Sequence, residues 1–150
     1  MESTLLKLSG WIGARVTEDD GETLALFRSG AAAGTSAVEG FTTDAERFAA
    51  FTDKQGSLSR FFLRGSVLEK GSSAFIFKSA KPVAASVAYT REGCDLEVNS
   101  DSDTEILLTL EKAPNTVSVN GKTTGEFKYD QASRQFRITV PSGQAIVTIR

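Results

Sequence analysis

A chain of 150 residues with 40% hydrophobic and 24% charged residues has the size of one domain, and it is too apolar to be intrinsically disordered. Its formal net charge of −2 argues against nucleic acid, which requires a concentrated basic face. Histidine is absent, which removes the commonest general acid/base and the commonest zinc ligand, and the single cysteine, Cys94, has no intrachain disulfide partner.

No apolar run reaches the length of a membrane span, and Met1-Glu2-Ser3-Thr4 lacks the basic segment and apolar core of a signal peptide. Leu5 to Leu8 and Trp11 to Val16 read as the first strands. The acidic turn Glu18 to Glu22 then returns the chain through Thr23 to Arg28, a predicted hairpin. Ser29 to Gly34 is small and glycine-rich, a loop or an edge, and Gly30 to Ala37 is the one place where an internal seam would fit. Thr43-Asp44-Ala45-Glu46 matches a helix capping box, but Asp44 to Phe51 is short and every neighbour reads as a strand, so strand is expected.

From Ser57 the pattern becomes regular. Leu58 to Arg64, the short Ser66-Val67-Leu68 and a turn at Glu69-Lys70-Gly71 precede Ala74 to Lys78, which runs to a break at Lys81-Pro82. Val83, Ala85, Val87 and Tyr89 alternate, Arg91-Glu92-Gly93 turns, and Leu96 and Val98 return. Asn99 to Asp103 is a polar loop, and Thr104 to Leu110 is apolar enough to be a strand covered on both faces. Val117 and Val119 lead into Asn120-Gly121, whose residue types supply the positive φ angles of a type I′ hairpin. Phe127 and Tyr129, a turn at Gln131-Ala132-Ser133, Phe136 to Val140, the turn Pro141-Ser142-Gly143 and Ala145 to Ile149 complete the chain. These elements predict an all-β, two-layer antiparallel sandwich of roughly ten to twelve short strands, in one domain covering residues 1–150.

Four groups of residues are candidates for chemistry. Asp101, Asp103 and Glu105 alternate along Asn99 to Glu105 and would present hard oxygen ligands for Ca2+, although the glycine and distal glutamate of an EF-hand loop are missing; a solvated turn is the competing reading. The acidic run Glu18 to Glu22 is explained by its Asp20-Gly21 turn. Trp11, the sole tryptophan, is either a stacking platform for a sugar ring or part of the core, and its apolar neighbours Ile12 and Val16 favour the core. Arg60, Arg64, Lys78 and Lys81 form the densest basic group, a cationic patch for a carboxylated or sulfated glycan if their strands pair; otherwise they keep a strand face soluble. No Gly-x-Ser-x-Gly elbow or phosphate-binding loop occurs, and no pair of carboxylates stands out for glycoside hydrolysis.

Ser59 to Leu68 followed by Gly71, then Lys81-Pro82-Val83, the Tyr89 hairpin, Pro114 to Gly121, Tyr129-Asp130 and the closing Phe136 to Gly143 resemble the C-terminal β-sandwich of heparinase II/III-like polysaccharide lyases. The resemblance spans roughly residues 44–150. In that family the catalytic Tyr and His residues lie in a preceding helical toroid and the adjoining central sheet. No position here matches them, so no catalytic role and no cofactor carries over. The resemblance implies a non-catalytic domain, cut from a longer periplasmic or extracellular lyase, which supports an upstream catalytic domain of the same polypeptide or its acidic polysaccharide. It predicts an exposed apolar face where the catalytic part would dock. The alternatives are an independent carbohydrate-binding module and a protein-interaction or adhesion sandwich.

Overall fold

The structure is a computed structural model that describes residues 1–30, 33–71 and 74–150. Among the described residues the chain forms fifteen strands. The first six are β1 (Glu2–Leu8), β2 (Trp11–Glu18), β3 (Gly21–Arg28), β4 (Ser36–Val38), β5 (Phe41–Thr43) and β6 (Arg47–Asp53). Two long strands follow, β7 (Leu58–Lys70) and β8 (Ala74–Thr90). The remainder are β9 (Gly93–Ser100), β10 (Thr104–Thr109), β11 (Val117–Val119), β12 (Lys122–Thr123), β13 (Phe127–Asp130), β14 (Gln135–Val140) and β15 (Gly143–Ile149).

One hydrogen-bonded path runs β1-β2-β3-β6-β7-β8-β9-β15-β11-β12, with antiparallel pairing at each step. Off it, β10 pairs with β8 and β14, β13 with β14, and β5 with β4 and β7. The all-β expectation holds, but fifteen strands replace the ten to twelve expected. The excess lies in pieces too short to show alternation, such as β4, β5 and β12. In the other direction, two expected breaks are absent. Gly65 does not end β7, and Lys81-Pro82 does not end β8. Pro82 falls between the two stretches of β8 that pair with β7, so its missing N–H removes no ladder bond.

The fold-back of β7 organises the molecule. Thirteen extended residues would span about 43 Å, yet Lys70 Nζ donates to the Gly56 carbonyl at 2.6 Å. The strand therefore doubles over, and its register with β8 shifts between Gly65 and Val67. Asp44 stabilises that corner: Oδ1 accepts from the Ser66 and Val67 amides at 2.8 and 2.9 Å, and Oδ2 accepts from the Ser66 hydroxyl. A Cβ on Gly65 would stand 2.6 Å from Ala45 Cα, so only glycine lets the chain come this close. The expected capping box is thus no helix start, and the strand expected over Asp44 to Phe51 begins at Arg47.

Folding over brings the two arms of β7 and β8 to bear on one core. Phe61 meets Phe77 at 6.1 Å between ring centroids, and Phe41 of β5 meets Phe48 of β6 at 5.5 Å. Leu26, Leu63, Leu68, Ile106, Leu108 and Val147 are fully enclosed with them. The predicted hairpin at Asn120-Gly121 has φ of 51° and 79°, the left-handed geometry its sequence demands. Of the glycine-rich stretch Ser29 to Gly34, and of the seam expected over Gly30 to Ala37, Ala31 and Ala32 lie outside the described residues.

Candidate functional site

Directly paired residues of an antiparallel sheet point to the same face, so register alone assembles a surface. Starting at β1, the row Leu5, Ala14, Ala25, Ala49, Phe62, Ser86, Glu97 and Ile146 crosses eight adjacent strands. Strand spacing gives it a width of about 34 Å. The neighbouring row begins Lys7, Ile12, Phe27, Arg47, Arg64. Among the described residues, six large hydrophobics are exposed: Met1, Leu5 (73%), Ile12 (49%), Phe27 (51%), Phe62 (37%) and Ile146 (51%). All but Met1 stand on this one face. Five exposed apolar residues thus share one face, but not as an unbroken patch: Ser86 and Glu97 stand between Phe62 and Ile146, and Arg47 and Arg64 continue the row of Ile12 and Phe27.

Alternation explains why it escaped a strand-by-strand reading. Inward positions such as Leu26, Leu63 and Val147 fill the core. A signal was available in the doublets Leu5-Leu6, Trp11-Ile12, Leu26-Phe27, Phe61-Phe62 and Ile146-Val147. A strand with one wet face has no use for two apolar residues in succession.

Small residues on β8 leave a furrow in this face. Ser86 and Ala88 lie between a wall of Phe51, Arg60 and Phe62 and an opposite wall of Asp95, Glu97 and Ile146, enclosing about 460 Å³. The Arg60 guanidinium sits 4.6 Å from the Phe51 ring centroid. Arg64, on the same face, pairs with Glu46 at 3.5 Å.

The remaining expected site residues do not converge. Lys78 lies in the other arm of β8, 4.0 Å from Glu69 and over the Phe75 ring, and Lys81 donates to the Ser102 hydroxyl. The four basic residues therefore form no single patch; only Arg60 and Arg64 share a face. Trp11 is 2% exposed, packs edge-on against Phe48 at 5.7 Å, lies under the Arg28 guanidinium at 4.8 Å and donates from Nε1 to Ser36 Oγ. Its ring has no free face for a sugar, so the stacking role is withdrawn and the core reading stands. Asp101, Asp103 and Glu105 also separate: Asp103 Oδ1 accepts from the Ser142 amide at 3.0 Å, and Glu105 faces Arg137 at 3.7 Å. Among the described residues no cluster of acidic or cysteine side chains has a metal-holding arrangement.

Two titratable groups sit in the core. Burial, with help from Asp95, pushes the Cys94 thiol up to about 12. Burial also lifts the Tyr89 phenol well above its ordinary value, and the Cys94 charge adds to the effect. Neither supplies an anion near neutral pH.

No family model matches the chain, and a search of curated proteins finds no match.

Proposed function

We propose that this chain is a non-catalytic domain of a heparinase II/III-like polysaccharide lyase, packing through its eight-strand outer face onto the catalytic part of the polypeptide. The single observation behind this reading is that row of partners, from Leu5 through Phe62 to Ile146, with Ile12 and Phe27 beside it. A face meant only for water has little use for exposed Leu5, Ile12, Phe27, Phe62 and Ile146, and here they stand among alanines and charged residues over a width that suits a second layer. Arg47, Arg60 and Arg64 on one part of the face and Asp95 and Glu97 on another give the docked partner a register. The chemistry of the core agrees: a lyase must take a proton from carbon near neutral pH, and the raised Tyr89 and Cys94 are poor bases there.

The architecture we infer is a two-layer sandwich. The fold-back of β7 at Gly65, the two pairing stretches of β8 and the Phe61–Phe77 contact support it. In that arrangement the outer face belongs to the larger layer, β1-β2-β3-β6 with the first arm of β7, and on through β9 to β15.

The test has two arms. Incubated with uronic-acid polysaccharides, the chain should release no unsaturated product absorbing near the ultraviolet edge, whereas the longer polypeptide encoded by its source should. A reading frame with no catalytic segment, or depolymerisation by this chain alone, would sink the proposal. A second reading, direct binding of acidic polysaccharide in the β8 furrow, is favoured by exposed Phe62 and Arg60 lining the same wall. Titration of the same polymers against the chain decides it: heat lost on substituting Arg60→Ala supports the furrow, and no heat excludes it.

A further inference from the structure

A second cavity, far from the outer face in character, opens where the arms of β7 and β8 come together. Both ends of each long strand line it, Leu58 and Lys70 from β7, Phe75 and Thr90 from β8, and it encloses about 720 Å³. That volume is in the range of small-molecule sites. Its accessible apolar lining is Leu58, Ile76 and Tyr89, with the core residues Leu110 and Ile149 behind them.

The rim is cationic. Lys70, Arg91, Lys112, Arg134 and Arg150 line it against only two carboxylates, Glu92 and Glu111. In a chain of net charge −2 this is a local reversal of sign. Arg150 is engaged with Asp95 at 2.7 Å and Lys70 with the Gly56 carbonyl. Arg91, Lys112 and Arg134 form no ion pair among the described residues. With Arg150 paired to Asp95, the rim still carries Lys70, Arg91, Lys112 and Arg134 against Glu92 and Glu111, a net positive charge beside an apolar floor.

The neutral polar groups of the cleft narrow the choice of ligand. Thr109 Oγ1 already donates to the Phe75 carbonyl at 2.6 Å, and Thr90 Oγ1 accepts from the Glu92 and Gly93 amides. Sugar hydroxyls would have to be served by Ser57 and by the charged rim rather than by these two threonines. What the cleft offers is an apolar floor and excess positive charge.

We propose that this cleft binds an organic acid with an apolar body, its hydrocarbon part on Leu58, Ile76 and the Tyr89 ring and its carboxylate at the Arg91–Lys112 rim. The site is independent of the docking face, since it lies between the arms of the long strands and shares no lining residue with the furrow.

Decanoate is the probe. With isoleucine methyls isotopically labelled in the full chain, decanoate should shift the signal of Ile76 saturably, leaving Ile12 and Ile146 on the outer face unmoved. Decanol should bind about tenfold or more weakly, and the variant R91E/K112E should lose a similar factor while keeping its urea midpoint. Both substituted residues are exposed and unpaired, so the fold does not depend on them. The proposal is overturned if decanoate moves only Ile12 and Ile146, if nothing moves, or if decanol binds equally well. It also fails if charge reversal leaves the affinity unchanged, or if a uronic-acid disaccharide outcompetes decanoate for Ile76.

Discussion

Replacing Asp44 by alanine removes the acceptor that holds the corner of β7. The carboxylate receives two amides and one hydroxyl from Ser66 and Val67. A hydrogen bond to a charged group contributes about 1.5–3 kcal/mol, and a partly buried amide left without a partner bears its own desolvation cost. Since the corner is only partly shielded, the three bonds together are worth about 3–5 kcal/mol, a large fraction of the stability of a small domain. Asp44→Asn keeps an oxygen for the amides but loses the charge, and should cost about 1–2 kcal/mol. Urea unfolding followed by the emission of the lone, buried Trp11 measures both, and in a thermal scan the alanine variant should melt about 10 °C lower. If Asp44→Ala unfolds within about 1 kcal/mol of the parent chain, the corner is not held by this carboxylate and the argument for the fold-back is wrong.

Gly65→Ala, which forces a Cβ to 2.6 Å from Ala45 Cα, should cost about 1–3 kcal/mol or more in the same urea experiment, and a neutral result would mean that Ala45 can move away. Stability should also decline at alkaline pH. The unfolded Cys94 thiol ionises near 9 and the folded one near 12, so above pH 9 the unfolded chain holds fewer protons than the folded one. The loss between pH 9 and 12 amounts to as much as about 4 kcal/mol, with Tyr89 adding in the same direction; denaturation series across this range should show a shallower fall for Cys94→Ala. For the same reason Cys94 should resist thiol reagents at pH 8 until the chain unfolds, and rapid labelling of the native protein would contradict its burial. Trp11 emission should be blue-shifted, poorly quenched by iodide and indifferent to added glycans; quenching by glycans would restore it as a platform.

Much of the fold was legible because strands announce themselves by period and turns by residue type. Asn120-Gly121 could be placed from its chemistry alone, and the inward residues of the last strands follow from their alternation. The corner of β7 was not legible. Gly65 reads as a stop, and only the tertiary approach of Ala45 and the reach of Asp44 across 22 residues make it a fold in a continuing strand. Pro82 likewise reads as a break until the gap between the two stretches of β8 that pair with β7 shows that no ladder bond is missed there. The basic group failed as a site for the same reason: Arg64 and Lys78 are near in sequence, but the fold-back assigns them to different arms. The outer apolar face was present in the sequence as doublets, but its assembly needed register across eight strands, which is non-local information.

The central claim is that the face from Leu5 to Ile146 docks against a catalytic partner on the same polypeptide. Expressed separately, the chain and the segment preceding it in its source should form a one-to-one complex by analytical ultracentrifugation, with Kd below about 10 μM. The double variant I12D/F27D, which alters exposed positions only, should abolish the complex while leaving the free energy of unfolding in urea within about 1 kcal/mol of the parent chain. A complex that survives the double variant, or no complex at all, contradicts the claim.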